Sequence, residues 1–115
     1  MLAPTGRAAR NPGAAQPSAT VQELIVLEVP NCIYCAIFRR DVLPSYQKSK
    51  RASDLPIRFL DLNDAAADQL KLSSSVTIVP TVVLMRDGAE VGRINGYMGP
   101  EAFFQSVSHV VGTAD

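Results

Sequence analysis

Residues 30–38 read PNCIYCAIF and contain both cysteines of the 115-residue chain, Cys32 and Cys35, with two residues between them. The residues before them, 24–29, read LIVLEV and are rich in aliphatic and β-branched side chains. Such a short apolar run, ended by Pro30, is typical of a buried strand. The cysteine pair therefore stands where a strand ends.

A helix is predicted to begin at the first cysteine. Apolar side chains recur at spacings of three and four over residues 32–48, while charged residues occupy another side, which indicates an amphipathic helix. Pro44 is expected to kink this helix or end its first half, because proline lacks a backbone N–H and crowds the preceding turn. Cys35 then lies one helical turn beyond Cys32.

The rest of the chain predicts three further strands and two further helices. The strands are PIRFLDL (56–62), VTIVPTVVLM (76–85) and AEVGRING (89–96). The helices are DAAADQLKL (64–72), which is capped by Asn63, and a terminal helix that follows Gly99 and Pro100. A strand, helix, strand unit requires parallel neighbours, and the turn at Asp87 and Gly88 makes the last two strands antiparallel. We therefore predict an α/β fold with a mixed four-stranded sheet (β-α-β-α-β-β-α) flanked by helices.

Length and composition predict one domain, formed by residues 21–115, because 47% of the residues are hydrophobic. Residues 1–20 carry three prolines and two glycines without periodicity, and we expect a disordered arm there. Acidic and basic residues number 11 each, which argues against a nucleic-acid partner. No apolar run approaches the roughly 18 residues of a membrane span. We expect a monomer without membrane insertion.

Three interpretations of the cysteine pair are open: half of a metal site, an inert buried pair, or a disulfide that opens and closes. A structural zinc site normally has four ligands, and beside the two cysteines only His109 could contribute, so we expect no metal. His109 is instead expected at the surface of the terminal helix. An inert pair is disfavoured because the unpaired N–H groups and positive dipole of a helix N-terminus stabilise a thiolate at Cys32. The first cysteine of CxxC pairs at such positions can have a pKa of roughly 3.5 to 7.5, against about 8.5 for a free thiol.

The predicted chemistry is thiol–disulfide exchange. The Cys32 thiolate attacks a disulfide of a client protein, and Cys35, shielded in the first turn of the helix, then attacks the Cys32 sulfur. The client leaves reduced, and the Cys32–Cys35 disulfide remains. The same steps run backwards oxidise a dithiol. The partners are a disulfide-containing client protein and an upstream thiol electron donor, and no cofactor is needed beyond the cysteine pair.

Pro80 lies inside an otherwise apolar, strand-like run, where proline is tolerated only at an edge or at the start of a strand. A cis peptide bond after Val79 is one way to place it, and an ordinary trans proline opening the strand is the other. We expect the Pro80 loop to lie beside the start of the cysteine helix. The backbone of Val79 would then be available to pair with an extended segment of a partner.

These motifs together resemble the thioredoxin superfamily: CIYC at a helix start, IVPT before a strand, the DG hairpin, and GRINGYMGPEAFF leading into the last helix. The resemblance covers about residues 22–112. LEVPNCIYC with the late GRINGY is also similar to the SoxS-like periplasmic thioredoxins of bacterial sulfur-oxidation operons. The resemblance implies a thioredoxin fold in which Cys32 is the exposed nucleophile, Cys35 the resolving thiol and Pro80 a cis-proline that helps dock substrate.

The chain departs from the family in lacking a WCGPC motif and in having Val26 roughly where a buried aspartate is expected. Glu28 is the nearest acid in the strand and a candidate proton relay for Cys35, although a solvent-facing carboxylate is the favoured interpretation. Tyr34 is expected to shape the docking surface. Gly96 is expected either to keep the approach to the cysteines open or to serve as a simple turn glycine.

We expect the protein to act as a reductant of disulfides in other proteins, and two other functions stay open. CxYC also resembles glutaredoxins, which implies glutathione as reductant, but the basic residues that could bind its carboxylates are expected to form a solvated face away from Cys32: Arg39, Arg40, Lys48, Lys50 and Arg51. A redox-dependent binding module is the other alternative. The resemblance implies a periplasmic location, whereas the cytoplasm stays open because no secretory signal is visible in residues 1–20.

Overall fold

The computed structural model describes residues 21–114, so the predicted disordered arm of residues 1–20 lies outside the described residues. Four strands and four helices follow one another along this part of the chain: β1 (Gln22–Glu28), α1 (Ile33–Gln47), α2 (Arg51–Asp54), β2 (Ile57–Asp61), α3 (Ala65–Asp68), β3 (Thr81–Arg86), β4 (Ala89–Asn95) and α4 (Pro100–Ala114). Apart from the short helix α2, which lies between the predicted first helix and second strand, this is the order expected from the sequence.

The strands form one mixed sheet in the order β2-β1-β3-β4. Strand β1 pairs in parallel with β2 and antiparallel with β3, and β3 pairs antiparallel with β4. Side chains of β1 alternate between the two faces of the sheet: Leu24 and Val26 join the core on one face, and Ile25 and Leu27 join the core on the other. The thioredoxin fold predicted from the motifs is therefore confirmed, with β1 at the centre of the sheet.

The larger core lies between the sheet and the two long helices. Helix α1 contributes Phe38, Val42 and Tyr46, and helix α4 contributes Phe103 and Val107, all almost fully buried. Phe38 stands edge-to-face against Phe103, with ring centroids 5.0 Å apart. This aromatic packing fixes α1, which begins at the cysteines, against the sheet.

Helix α1 continues through Pro44 to Gln47, close to the predicted range of residues 32–48. Proline in a helix interior costs about 3 kcal/mol or more, because it removes one backbone hydrogen bond and crowds the preceding turn. The turn after Pro44 is held by Tyr46, whose ring is fully buried and whose hydroxyl donates to the Leu55 carbonyl at 2.7 Å. Burial of this side chain offsets the cost of the proline.

Helix α3 is shorter than predicted, and its cap is Asp64 rather than Asn63. The Asp64 carboxylate accepts a hydrogen bond from the Ala66 N–H at 2.9 Å. The helix ends at Asp68 because the following residues leave it: Leu70 and Leu72 pack into the smaller core, and Lys71 forms an isolated bridge with Ala89.

Strand β3 begins at Thr81, one residue after Pro80, so the predicted strand residues 76–79 are irregular. Proline cannot donate to the sheet, and the strand accordingly starts after it. At the other end of β3, the backbone of Asp87 and Gly88 has positive φ (53° and 85°), which confirms the predicted hairpin turn.

Candidate active site

The two cysteines form a disulfide at the start of α1. Asn31, with φ of 62°, turns the chain between β1 and α1, a conformation that asparagine tolerates better than most residues. Cys32 is the N-cap of the helix, and its Sγ accepts a hydrogen bond from the Cys35 N–H at 3.1 Å. The first sulfur therefore lies against an otherwise unpaired N–H at the positive end of the helix dipole, as the sequence predicted.

The two cysteine residues differ in exposure. The Cys35 residue is 4% exposed, whereas Cys32 is partly exposed. An incoming disulfide can reach Cys32 more readily than Cys35. In the reduced protein, the hydrogen bond from the helix N-terminus would stabilise a Cys32 thiolate, because a charged acceptor strengthens such a bond.

The loop that contains Pro80 directly precedes β3. The Val79–Pro80 peptide bond is cis. The Gly96 N–H donates to the Pro80 carbonyl at 2.9 Å, and the Thr81 hydroxyl donates to the Ile78 carbonyl at 2.6 Å. These two bonds attach the loop to the first residue of β3 and to the segment that follows β4.

A cavity of about 200 Å³, called here the apolar cavity, lies next to this loop. It brings together three of the predicted docking residues, Tyr34, Val79 and Gly96, and its other lining residues are Ile78, Asn95, Tyr97 and Met98. Gly96 has φ of 77°, and a Cβ at this position would lie 3.3 Å from Ile78 Cδ1. The backbone conformation therefore favours glycine here, and the lack of a Cβ also leaves the cavity open.

Sequence reasoning missed part of this surface. Large apolar side chains around the disulfide and the apolar cavity are exposed to an unusual degree, and Met98 reaches 88%: Ile33, Tyr34, Ile78 and Met98. The available signal was their position beside the two motifs, since Ile78 precedes the predicted docking residues and Met98 follows Gly96 closely. An exposed apolar patch of this kind is typical of a protein-binding surface.

A second cavity of about 340 Å³ is called here the polar cavity. Both cysteines line it, together with Glu28, Arg39 and Asp61. Arg39 Nε donates to Glu28 Oε1 at 3.2 Å, and its second guanidinium nitrogen binds Glu28 Oε2. Hydrogen bonding to Glu28 raises the pKa of Arg39, so this side chain stays charged.

The polar cavity corrects two expectations. Arg39 does not lie away from the cysteines but lines the same cavity, because its guanidinium stacks over Phe59, 3.9 Å from the ring centroid, and pairs with Glu28. The Glu28 side chain is 18% exposed, so it is less solvent-facing than expected. His109 is exposed on α4, as predicted.

Within residues 21–114, no group of three or more His, Cys, Asp or Glu side chains could hold a metal ion. Among the helices of this same part of the chain, none has the length and apolar character needed to cross a membrane.

Comparison with known proteins agrees with this geometry. The family model described as a thioredoxin-like domain matches residues 14–110. The periplasmic thioredoxin SoxS from Paracoccus pantotrophus, in its reduced form, is 32% identical, with a TM-score of 0.77 over 83% of this chain and 100% of that chain.

More distant solved structures share the fold. Mitochondrial thioredoxin 3 from Saccharomyces cerevisiae is 22% identical, with a TM-score of 0.59 over 76% of this chain and 77% of that chain. Thioredoxin from Fasciola hepatica is 21% identical, with a TM-score of 0.55 over 76% of this chain and 79% of that chain. Comparison with curated proteins gave no match.

The family match, the similarity to SoxS and the disulfide at the helix start agree with one another. The chain belongs to the thioredoxin-like family and is a SoxS-like thiol–disulfide oxidoreductase.

Proposed function

We propose that this protein reduces disulfides of client proteins, with Cys32 as the attacking thiol and Cys35 as the resolving thiol. The observation that carries these roles is the difference between the two sulfurs. Cys32 Sγ accepts the Cys35 N–H at 3.1 Å at the helix start and is partly exposed, whereas the Cys35 residue is 4% exposed. The first arrangement favours a reactive thiolate, and the second protects a thiol until a mixed disulfide forms.

The reaction transfers two electrons to the client. The Cys32 thiolate attacks one client sulfur, a mixed disulfide forms, and the other client sulfur leaves as a thiolate that takes up a proton. Cys35 then loses its proton and attacks Cys32 Sγ, which releases the second client thiolate and closes the Cys32–Cys35 disulfide. An upstream dithiol donor reduces this disulfide again and is itself oxidised.

Glu28 is proposed as the acceptor of the Cys35 proton. Glu28 lines the polar cavity together with Cys35, and its carboxylate is ion-paired with Arg39. Docking of the client is proposed to use the apolar cavity, with Tyr34, Gly96 and the backbone of Val79 beside the cis bond to Pro80. The exposed apolar side chains around this cavity support a protein as substrate.

A periplasmic location and a role near sulfur oxidation are proposed from the similarity to the periplasmic thioredoxin SoxS. Fractionation of cells that express the full-length gene from its own promoter tests the location. Recovery of the protein with periplasmic markers supports it, and recovery only with cytoplasmic markers refutes it.

One observation bears on the glutathione-linked alternative, since Arg39 lies beside the disulfide and could contact a carboxylate. Its guanidinium, however, is already paired with Glu28. Reduction of the oxidised protein by glutathione alone, compared with reduction by a thioredoxin-type donor, separates the two functions. We expect the dithiol donor to be faster, and a faster reaction with glutathione would favour the alternative.

The roles of the cysteines are tested with an insulin reduction assay and with trapping. Cys32→Ser is expected to abolish turnover, while Cys35→Ser should accumulate a covalent complex through Cys32 because the resolving step is missing. Identification of proteins trapped in the native host would name the clients. Undiminished insulin reduction by Cys32→Ser would refute the assigned nucleophile. Selective binding of a partner by the oxidised protein, without reduction of any protein disulfide, would favour a binding module.

A further inference from the structure

Tyr97 links one wall of the apolar cavity to the helix that carries the cysteines. It follows Gly96 directly and precedes Met98, and all three residues line the cavity. Its hydroxyl donates to Asp41 Oδ2 at 3.2 Å, and Asp41 belongs to α1. A residue of the cavity wall is thus hydrogen-bonded to the helix that begins at the disulfide.

Both partners of this hydrogen bond make further contacts. The Tyr97 ring stands edge-to-face against Phe38 of α1, with centroids 5.3 Å apart. Asp41 is held in turn by Arg40, whose Nε lies 2.9 Å from Asp41 Oδ1, and this hydrogen bond lowers the pKa of Asp41 so that the carboxylate stays charged. At 3.2 Å, the bond from the Tyr97 hydroxyl to this carboxylate is a long O–H···O bond, so its contribution is modest.

The wall of the apolar cavity that contains Tyr97 is the segment Gly96–Met98, and it has no regular secondary structure. Strand β4 ends at Asn95, α4 begins at Pro100, and Gly96 and Gly99 both have positive φ. Within this segment, the Gly96 N–H is bonded to the Pro80 carbonyl, and the Tyr97 side chain is bonded to α1. Met98, which is 88% exposed, directly follows these two attachments.

We propose that Tyr97 is a positioning residue, which through its hydrogen bond to Asp41 fixes the Gly96–Met98 wall of the apolar cavity at the distance from the disulfide that a protein client requires. This inference rests on the proposed function, since it assumes that clients dock in the apolar cavity. The bond acts on affinity for the client. It is separate from the sulfur chemistry, because neither Tyr97 nor Asp41 is among the residues that line the polar cavity with the cysteines.

The test compares a protein disulfide with a small one. For Tyr97→Phe, which keeps the ring and removes the hydroxyl, we expect KM for insulin to rise about three- to tenfold with kcat within about twofold, the range of one modest hydrogen bond. Reduction of the small disulfide 5,5′-dithiobis(2-nitrobenzoate) should stay unchanged. Asp41→Ala should give the same result, and the double variant should be no worse than either single variant.

Tyr46→Phe is the matched control, because it also removes one tyrosine hydroxyl hydrogen bond but from the core beside Leu55. It should lower stability without changing KM for insulin. An unchanged KM in Tyr97→Phe and Asp41→Ala, or an equal loss with both disulfides, overturns the positioning role. If the wild-type protein reduces the small disulfide but not insulin, the proposed function fails and this inference fails with it.

Discussion

Replacing Glu28 by glutamine removes the proposed proton acceptor for Cys35 and leaves a side chain of nearly the same shape. A positioned general base contributes about 10²- to 10⁴-fold to a proton transfer. The polar cavity opens to solvent, so water can partly replace the carboxylate. We therefore expect the attack of Cys35 to slow by about tenfold to a hundredfold, at or below the lower end of that range.

Arg39→Met is the matched control, because it breaks the same ion pair but keeps the carboxylate. The pair joins side chains that are 47% and 18% exposed, so its loss costs about 0.5–1 kcal/mol. Arg39→Met also loses the contact with Phe59 at 3.9 Å, which adds about 0.5–1 kcal/mol. This variant should thus be the less stable of the two, while its resolving step stays within about threefold of wild type.

Stopped-flow reaction of the reduced proteins with 5,5′-dithiobis(2-nitrobenzoate) separates the two steps. The first release of thionitrobenzoate reports the attack by Cys32, and the second reports the attack by Cys35. Only the second phase should slow in Glu28→Gln. If the second phase is unchanged in this variant, or slows equally in Arg39→Met, the carboxylate is an ion-pair partner and not a proton acceptor.

Two further predictions concern the frame that holds the site. A Cβ on Gly92 would lie 2.5 Å from Val110 Cγ1, so Gly92→Ala should lower the free energy of unfolding by about 1–3 kcal/mol, as measured by chemical denaturation. Adding Val110→Ala should recover part of this loss. No recovery would refute the close approach of β4 and α4. Burial raises the pKa of Tyr46 to about 12, above its value near 10 in the unfolded chain. Its neutral form therefore stabilises the fold fully below pH 10, and this stabilisation is lost as the pH rises through 12. Between pH 8 and pH 11, wild type should therefore lose about 1.4 kcal/mol more than Tyr46→Phe, and equal losses would contradict the burial of the ring.

The sequence was most informative where a local signal and a chemical requirement coincided. Cys32 and Cys35 stand at a strand-to-helix junction, and Pro80 opens a strand, so fold and redox pair could both be predicted from short motifs. The hairpin at Asp87 and Gly88 followed from turn chemistry alone. These features depend on residues close together in the chain.

The features that sequence reasoning missed depend on contacts between distant residues. Arg39 was assigned to a solvated face because its neighbours in the helix are charged, but Glu28 and Phe59, on two different strands, hold it beside the disulfide. The bond from Tyr97 to Asp41 likewise joins the end of the sheet to the first helix.

The most direct test of the account is the titration of the reduced protein, followed by the ultraviolet absorbance of the thiolate, with Cys35→Ser and Cys32→Ser to assign the signal. Because Cys32 Sγ caps the helix, we predict a pKa below about 7.5 for the Cys32 thiol in the reduced protein. Thiolate absorbance assigned to Cys32 should therefore be present at pH 7. Thiolate that appears only above pH 8, for both cysteines, would contradict the claim that the helix start activates Cys32.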